Sequence, residues 1–194
     1  MIKKFFIING FFVLLGLVLL SCNMKVYTLL DKATDVPKNE EVYGNKSKFN
    51  ETILNTIDTN AVYEEYDTEK NILARLDPCT SCRGYLIFRF YPNGCLNMFY
   101  FKRNSTLPVK EFDPLYTGYR GVFYLENNKI RYDYFAEIDA QQHIGKISGT
   151  LSVVGDTLYV NRDDRKGLNA TSYSPKIYIK RKLPAEYFVY KPGW

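Results

Sequence analysis

The chain has 194 residues, of which 46% are hydrophobic and 24% are charged, and both values are ordinary for one globular domain. The net charge is only +5 and no long basic run is present, which argues against nucleic acid as a partner. Aromatic residues make up 16% of the chain, including 17 Tyr and 13 Phe, and this favours β structure, in which such side chains pack well.

The N-terminal segment has the pattern of a bacterial secretion signal. Met1–Lys4 is short and positive, and Phe5–Leu20 is almost wholly apolar but too short for the roughly 20 residues that a membrane-spanning helix needs. Residues 19–22, Leu-Leu-Ser-Cys, resemble the lipobox of bacterial lipoproteins. The resemblance implies cleavage before Cys22 and lipidation of its thiol by palmitate-like chains, which anchor a protein stably when two or more are present. The alternative is an uncleaved anchor helix.

The sequence after Cys22 bears on where the protein resides. Richness in Asn, Lys, Ile, Tyr and Phe resembles proteins of Bacteroidetes, and no acidic cluster like their surface-export signal follows Cys22. The lipobox resemblance implies a lipid-anchored protein of the bacterial cell envelope, and we expect the outer membrane. The expected partners are the membrane, through the anchor, and a small ligand or another envelope protein.

The chain divides into four parts. Residues 1–21 are the signal peptide, 22–48 the lipidated N-terminus and a polar tether, 49–183 a β-barrel domain, and 184–194 an aromatic C-terminal tail. A flexible tether of about 25 residues would span roughly 25–30 Å and hold the domain away from the membrane. The tail is expected to pack on the barrel as a satellite hydrophobic cluster, with a lid or a partner peptide as the alternative.

Eight short segments alternate apolar and polar residues between turn residues, which is the pattern of β-strands. They are Asn60–Tyr66, Tyr85–Tyr91, Cys95–Lys102, Tyr119–Glu126, Lys129–Glu137, Lys146–Val154, Thr157–Asn161 and Lys176–Lys182. Eight antiparallel strands in chain order predict an all-β fold, an up-and-down barrel without exposed edges, with an open sandwich of two sheets as the alternative. The runs 88–94 (FRFYPNG) and 147–158 (ISGTLSVVGDTL) resemble the lipocalin-like domains found behind lipoboxes. The Gly-x-Trp signature of lipocalins is missing, so the resemblance implies an architecture and no particular ligand.

The turn at Asn93-Gly94 sets an expected strand register, because Asn-Gly is the strongest short hairpin signal. A two-residue turn there would place Pro92 opposite Cys95 and Phe88 opposite Phe99. One apolar set would then face the core: Leu86, Phe88, Phe90, Phe99 and Phe101.

Two-residue turns are also predicted at 127–128 and 155–156. In the strand register that each turn sets, the apolar residues of the two joined strands share one face. Across the first of these turns, Glu126 and Lys129 would form a pair of opposite charges. Five tyrosines would point outward and form a stacking surface for sugars or for a protein: Tyr85, Tyr91, Tyr100, Tyr124 and Tyr159.

The cysteines after Cys22 permit several interpretations. Cys79 and Cys82 have CxxC spacing, which fits a structural disulfide in an oxidising envelope, two free thiols, or a metal or redox pair, with the disulfide favoured. Cys95 would lie about 33 Å from Cys82 along an extended strand, whereas a disulfide needs Cα atoms within about 7 Å. We therefore expect Cys95 to be a free thiol on the core side. A metal site would lack ligands, since His143 is the only histidine.

No catalytic arrangement can be proposed from spacing, so we predict neither an enzyme nor a cofactor or metal site. The first functional hypothesis is a lipocalin-like barrel that binds a small apolar or glycan ligand. Its Phe and Tyr residues would either line a pocket or fill the interior, and filling is favoured. The alternative is a non-catalytic accessory or structural lipoprotein that docks onto another envelope component.

Overall fold

The computed structural model describes residues 24–78, 84–139, 142–163 and 175–194. The strands in these ranges are Val26–Thr28 (β1), Asp35–Pro37 (β2), Val62–Asp67 (β3), Ile72–Leu73 (β4), Tyr85–Phe90 (β5), Cys95–Phe101 (β6), Tyr119–Glu126 (β7), Lys129–Glu137 (β8), Ile144–Val154 (β9), Thr157–Arg162 (β10) and Lys176–Arg181 (β11). The 3₁₀ helices are Glu40–Lys48, Glu51–Asn55, Ala74–Leu76, Val109–Phe112 and Ala185–Phe188. None of the helices in these ranges has the length and hydrophobicity of a membrane-spanning segment.

Eight of the strands, β3 and β5 to β11, form a closed antiparallel barrel in chain order. The last strand closes the barrel because β11 pairs with β3, from Ile177 opposite Tyr66 to Arg181 opposite Val62. The short β4 pairs only with the end of β3. The predicted all-β, up-and-down barrel is therefore confirmed, and the alternative of an open sandwich is wrong.

The barrel interior is filled by the alternate side chains that point inward from these strands. Large aromatic residues dominate it: Tyr63, Phe88, Phe90, Phe123, Tyr132, Tyr134 and Tyr178. Phe90 meets Phe123 edge to face at 5.1 Å between ring centroids, and Phe88 meets Tyr178 edge to face at 5.0 Å. Edge-to-face contacts at these distances are favourable for aromatic pairs, so the rings pack into a core.

One end of the barrel is closed by the helix Glu51–Asn55. The helix begins after Asn50, whose side chain accepts a hydrogen bond from the backbone of Thr52 at 2.9 Å and so caps the first turn. Ile53 and Ile57 are buried among the barrel side chains, and they remove this end of the barrel from solvent.

The β5–β6 hairpin has a three-residue loop and not the predicted two-residue turn. The backbone N–H of Tyr91 donates to the carbonyl of Cys95 at 2.9 Å, and Gly94 N–H donates to the carbonyl of Tyr91 at 3.2 Å. Pro92 suits the first position of such a turn, and Gly94 adopts a φ of +81°, the left-handed conformation that ends three-residue hairpin loops.

This extra loop residue shifts the register by one and reverses the faces of β6. Phe88 lies opposite Met98, so Leu96 and Met98 point into the barrel with Phe88. Phe99 and Phe101, which were predicted in the core, point outward into a second buried cluster. The prediction that Phe88 lies opposite Phe99 is therefore wrong.

The other two hairpins have the predicted registers. Glu126 lies opposite Lys129, and Asn127 and Asn128 both have positive φ, of 51° and 57°, as a type I′ turn requires. The Glu126 carboxylate itself contacts the ammonium of Lys48 at 2.8 Å. Across the second turn, Val154 pairs with Thr157.

Residues 24–48, which the sequence predicts to be a flexible tether, are folded onto the outer wall of the barrel. Strands β1 and β2 form a hairpin, and the helix Glu40–Lys48 lies against β7. Val36 and Tyr43 are buried, and the Tyr43 ring meets Phe135 edge to face at 5.3 Å. The tether prediction is wrong for these residues, because a few buried apolar side chains outweigh a polar composition.

The C-terminal tail crosses the same outer wall. Tyr187 and Phe188 pack on a cluster that includes Phe99 and Phe112, and Trp194 is buried in a second outer cluster with Tyr43. Both faces of β5 and β6 are consequently covered, the inner face by the barrel core and the outer face by the loops and the tail.

Candidate functional site

Among the described residues, the side chains that point into the barrel leave only a small cavity. The cavity among the inward-facing side chains has a volume of about 40 Å³, and Leu86, Phe88, Met98, Tyr132, Tyr134, Val160, Arg162, Lys176 and Tyr178 line it. Two or three water molecules would occupy about that volume, whereas small-molecule pockets usually measure about 300–1,000 Å³. The sequence left open whether the aromatic side chains line a pocket or fill the barrel, and in the described residues they fill it.

The cysteines predicted as site residues are placed only in part. Cys22, Cys79 and Cys82 lie outside the described residues. Cys95 is a free thiol, as predicted, but it belongs to the outer cluster and not to the core side, a consequence of the shifted register of β6. Its Sγ donates to the carbonyl of Trp194 at 3.1 Å, and burial raises the pKa of the Cys95 thiol.

The five outward tyrosines do not form one surface. Tyr85 and Tyr124 are buried under the outer segments, Tyr100 is exposed at the end of β6, and Tyr159 lies away from them on β10. Tyr91 and Tyr100 line two different cavities at the two ends of β6. The prediction of a continuous stacking surface is therefore wrong, since the N-terminal segment and the tail cover part of it.

A groove of about 250 Å³ lies outside the barrel, between the β5–β6 loop and the tail. Three segments that are distant in sequence form it: the residues before β3, the end of β5 with its loop, and the tail. The lining residues are Thr59, Asn60, Arg89, Tyr91, Pro92, Asn93, Phe188, Tyr190, Lys191 and Pro192. This volume is slightly below the range of about 300–1,000 Å³ that is usual for small-molecule pockets, so a ligand of the groove would be as small as a single ring.

Arg89 forms the buried floor of the groove. It points outward because it alternates with Phe88 and Phe90, which point into the core. Its guanidinium carbon lies 4.4 Å from the centroid of the Tyr91 ring and 5.3 Å from that of Phe188, so the cation lies between two aromatic faces.

The same guanidinium holds the tail in place. Its Nη1 donates to the carbonyls of Phe112 at 3.2 Å and Tyr187 at 2.9 Å, and its Nη2 donates to the carbonyl of Tyr190 at 3.0 Å. Burial lowers the pKa of Arg89, and a guanidinium still remains charged at neutral pH. The position of the groove wall therefore depends on a buried cation.

The Nε of Arg89 beside the groove is buried without a hydrogen-bond partner. The hydroxyl of Tyr91 is also buried, and the side chain of Asn97, which lies opposite Arg89 on β6, interacts with it. Burial raises the pKa of Tyr91, so its phenol stays neutral and keeps its proton. Unpartnered buried polar groups are uncommon in folded proteins, and the Nε of Arg89 is one at this wall.

A wider depression of about 510 Å³ lies at the other end of β6, but its polar groups are already used. Its lining residues are Asp31, Ala33, Thr34, Met98, Tyr100, Thr117, Gly118 and Tyr119. The Asp31 carboxylate accepts from the backbone of Ala33 and Thr34 at 2.9 Å each and from the Thr34 hydroxyl at 2.5 Å. These bonds lower the pKa of Asp31 although burial opposes them, and they form a turn, not a site.

The buried carboxylates elsewhere hold the fold together. Glu64 lies 3.0 Å from Nε of Arg75 and 2.5 Å from Nη1 of Arg181, and Asp133 accepts from Asn45 at 2.7 Å. In the described ranges, no three His, Cys, Asp or Glu residues are grouped as a metal site would need. Within the described residues, the groove combines space for a small ligand with a buried and unpartnered donor, the Nε of Arg89.

Sequence reasoning did not find this groove. Arg89 and Tyr190 contact each other although 101 positions separate them, and only the path of the tail brings them together. The signals were an arginine within the apolar run of β5 and an aromatic tail. Comparison with protein-family models, with curated proteins and with solved structures gave no match.

Proposed function

We propose that the protein is an envelope lipoprotein, anchored through lipid on Cys22, that binds a small apolar or glycan ligand in the groove between the barrel wall and the tail. The observation that carries the proposal is the contrast between two volumes, about 40 Å³ inside the barrel and about 250 Å³ in the groove. The barrel then serves as a rigid support, and the ligand binds outside it.

The groove has the chemistry that a small ring requires. The rings of Tyr91, Phe188 and Tyr190 offer apolar faces, and the amides of Asn60 and Asn93 offer donors and acceptors. Binding sites for small molecules typically combine an apolar lining with a few polar groups that fix orientation. A sugar ring has both an apolar face and hydroxyl groups, so it is well matched.

The proposed lipid anchor on Cys22 would lie close to the folded body, because the segment that follows it is folded onto the barrel and does not form a long tether. Met24 already packs on the outer cluster, and two peptide units let Cys22 lie at most about 7 Å from it, measured between Cα atoms. A lipid on Cys22 would therefore keep the folded body at the membrane surface. This arrangement replaces the roughly 25–30 Å spacer that a flexible tether would have supplied.

Ligand-observed NMR on the purified soluble form tests the groove. The library would contain neutral and acidic monosaccharides and single-ring aromatic compounds. Tyr190→Ala removes a groove ring, and Tyr159→Ala removes a ring on β10 as the matched control. Binding that is lost in the first variant and kept in the second supports the proposal. No binding to any compound, or equal binding by both variants, contradicts it.

Native mass spectrometry of the protein from its own host gives an independent readout. A bound small molecule that disappears in Tyr190→Ala supports the groove. Fractionation of Cys22→Ala tests the anchor: this variant should leave the membrane fraction. Retention of an unprocessed variant in the membrane would show that the N-terminal segment is an anchor helix.

A second candidate, a lipoprotein that docks onto another envelope component, is favoured by one surface feature. Leu30 and Leu115 are 69% and 62% exposed, and the N–H of Leu30 donates to the carbonyl of Leu115 at 3.4 Å. Contiguous exposed apolar residues are typical of interaction surfaces, and these two leucines are the residues to test for one. A photo-crosslinking residue at position 115 should then capture one discrete product in cells. The same residue in place of Val154, which is 68% exposed, is the control.

A further inference from the structure

We infer that the ligand of the groove carries a negative charge, as a single ring with a carboxylate or a similar anionic group. This inference rests on the proposed function and specifies the ligand class of the same site. It comes from the charged residues that line the groove, which are both cations.

Two cations and no acid line the groove. Arg89 is at the floor and is 2% exposed, and Lys191 is an exposed residue of the tail. The remaining lining residues in the described ranges are neutral. Low-dielectric walls on either side strengthen the field of these two charges, so a negative group is favoured at this position.

The charge of Arg89 has no partner of opposite sign within the described residues. Its Nη atoms donate to three backbone carbonyls, which are dipoles and leave the net charge in place, and its Nε has no partner at all. Buried charges are normally paired, because an uncompensated charge in a protein interior is costly. An anionic ligand would supply the missing counter-charge.

Buried carboxylates of this protein show the usual pairing, whereas the buried guanidinium of Arg120 resembles Arg89 and donates to the neutral oxygens of Tyr27 and Pro114. Glu64 is 1% exposed and lies between the guanidinium groups of Arg75 and Arg181. Asp113 is an acidic residue whose charge acts on the groove, because it contributes to the raised pKa of Tyr91. Its Oδ1 accepts a hydrogen bond from the backbone N–H of Leu115 at 2.9 Å. Asp113 does not line the groove, so the groove itself stays electropositive.

The test compares ligands that differ only in charge. The probes are glucuronate with glucose, and benzoate with benzyl alcohol, titrated into the intact protein at low and high salt. We expect the acid of at least one pair to bind about tenfold tighter than its neutral partner, the scale of one charge-assisted hydrogen bond. Added salt should weaken binding of the acid and leave the neutral compound unchanged.

Lys191→Gln removes the exposed cation without touching the bonds that hold the tail, so it is the main variant. It should reduce the preference for the acid at least threefold, about the effect of one partly exposed charge. Lys182→Gln removes an exposed lysine outside the groove and should change nothing. Arg89→Lys keeps the positive charge but loses the several N–H donors of the guanidinium. Its ligand binding is interpreted only if the variant still unfolds cooperatively.

The outcomes separate the two proposals. The inference is supported if the acidic probe binds more tightly than its neutral partner and if this difference in affinity is smaller in Lys191→Gln. Equal or tighter binding of the neutral partner overturns the inference and leaves the groove as a neutral binding site. Failure of all four probes and of the wider library overturns the proposed function as well.

Discussion

The indole Nε1 of Trp194 donates a buried hydrogen bond of 2.8 Å to the backbone carbonyl of Gly121 on β7. The tail is thus fixed to the barrel wall on both sides of the groove, by this bond and by the bonds from Arg89 to the carbonyls of Tyr187 and Tyr190. The groove residues of the tail lie between Tyr187 and Trp194, the first and the last of these attachment points, so the width of the groove depends on both.

Trp194→Phe should destabilise the protein by about 1–3 kcal/mol, because the carbonyl of Gly121 would remain buried without its donor. Urea denaturation followed by circular dichroism measures the change. Val189→Ala, in the same segment but 63% exposed, is the control and should cost under about 0.5 kcal/mol. Equal costs for the two variants would show that the indole bond contributes nothing.

The register of the β5–β6 hairpin can be tested by a double-mutant cycle. Phe88→Leu and Met98→Ala should couple by about 0.5–1 kcal/mol, because the two residues are cross-strand partners on the inner face. Phe88→Leu and Phe99→Leu should be additive within about 0.5 kcal/mol, since Phe99 points to the outer cluster. Additivity of the Phe88 and Met98 substitutions, with coupling between those of Phe88 and Phe99, would instead indicate the register of a two-residue turn.

Gly94→Ala should be distinctly more destabilising than Gly155→Ala. Both positions have positive φ, +81° and +59°, so each substitution carries a backbone cost of about 1–2 kcal/mol. A Cβ on Gly94 would also lie 2.7 Å from the ring of Phe49, whereas nothing lies within 4 Å of a Cβ on Gly155. Thermal unfolding of the two variants gives the comparison, and a larger loss for Gly155→Ala would contradict the loop geometry.

Stability should fall as the solution becomes alkaline. Burial, with a smaller contribution from Glu64, raises the pKa of Tyr85 to about 12, while an unfolded tyrosine ionises near about 10. The stabilisation is complete below the unfolded pKa and is lost as the pH rises from about 10 toward 12, because the unfolded state releases its proton first. Denaturant midpoints across this range should fall less steeply for Tyr85→Phe than for the wild type. Parallel curves would exclude Tyr85 as a contributor.

The alternation of apolar and polar residues was sufficient to predict the strands of the barrel. Each of the eight strands lies within a few residues of its predicted position, because an antiparallel strand with one core face has a strong local signal. The register failed at one hairpin, where Asn93-Gly94 has the sequence of a two-residue turn but Pro92 favours the longer loop. A single extra loop residue then reversed the faces of β6.

The outer layer could not be predicted from local patterns. Residues such as Val36, Tyr43 and Trp194 are isolated apolar side chains in polar segments, and their burial depends on contacts with strands far away in the chain. The groove depends on the same long-range contacts. Composition therefore favoured a tether where the structure has a packed layer.

Because β5 and β6 are covered on both faces, they form the most protected part of the barrel wall. In β10 and β11, by contrast, most residues are partly exposed, and the buried ones are Leu158, Val160 and Tyr178. Amide hydrogens of β5 and β6 should accordingly exchange with solvent only through global unfolding, while those of β10 and β11 can exchange through smaller local openings. The groove floor and loop belong to the slowly exchanging strand β5, whereas Thr59 and Asn60 precede β3, which pairs with β11. Local opening of β11 should therefore affect the groove mainly through these two residues.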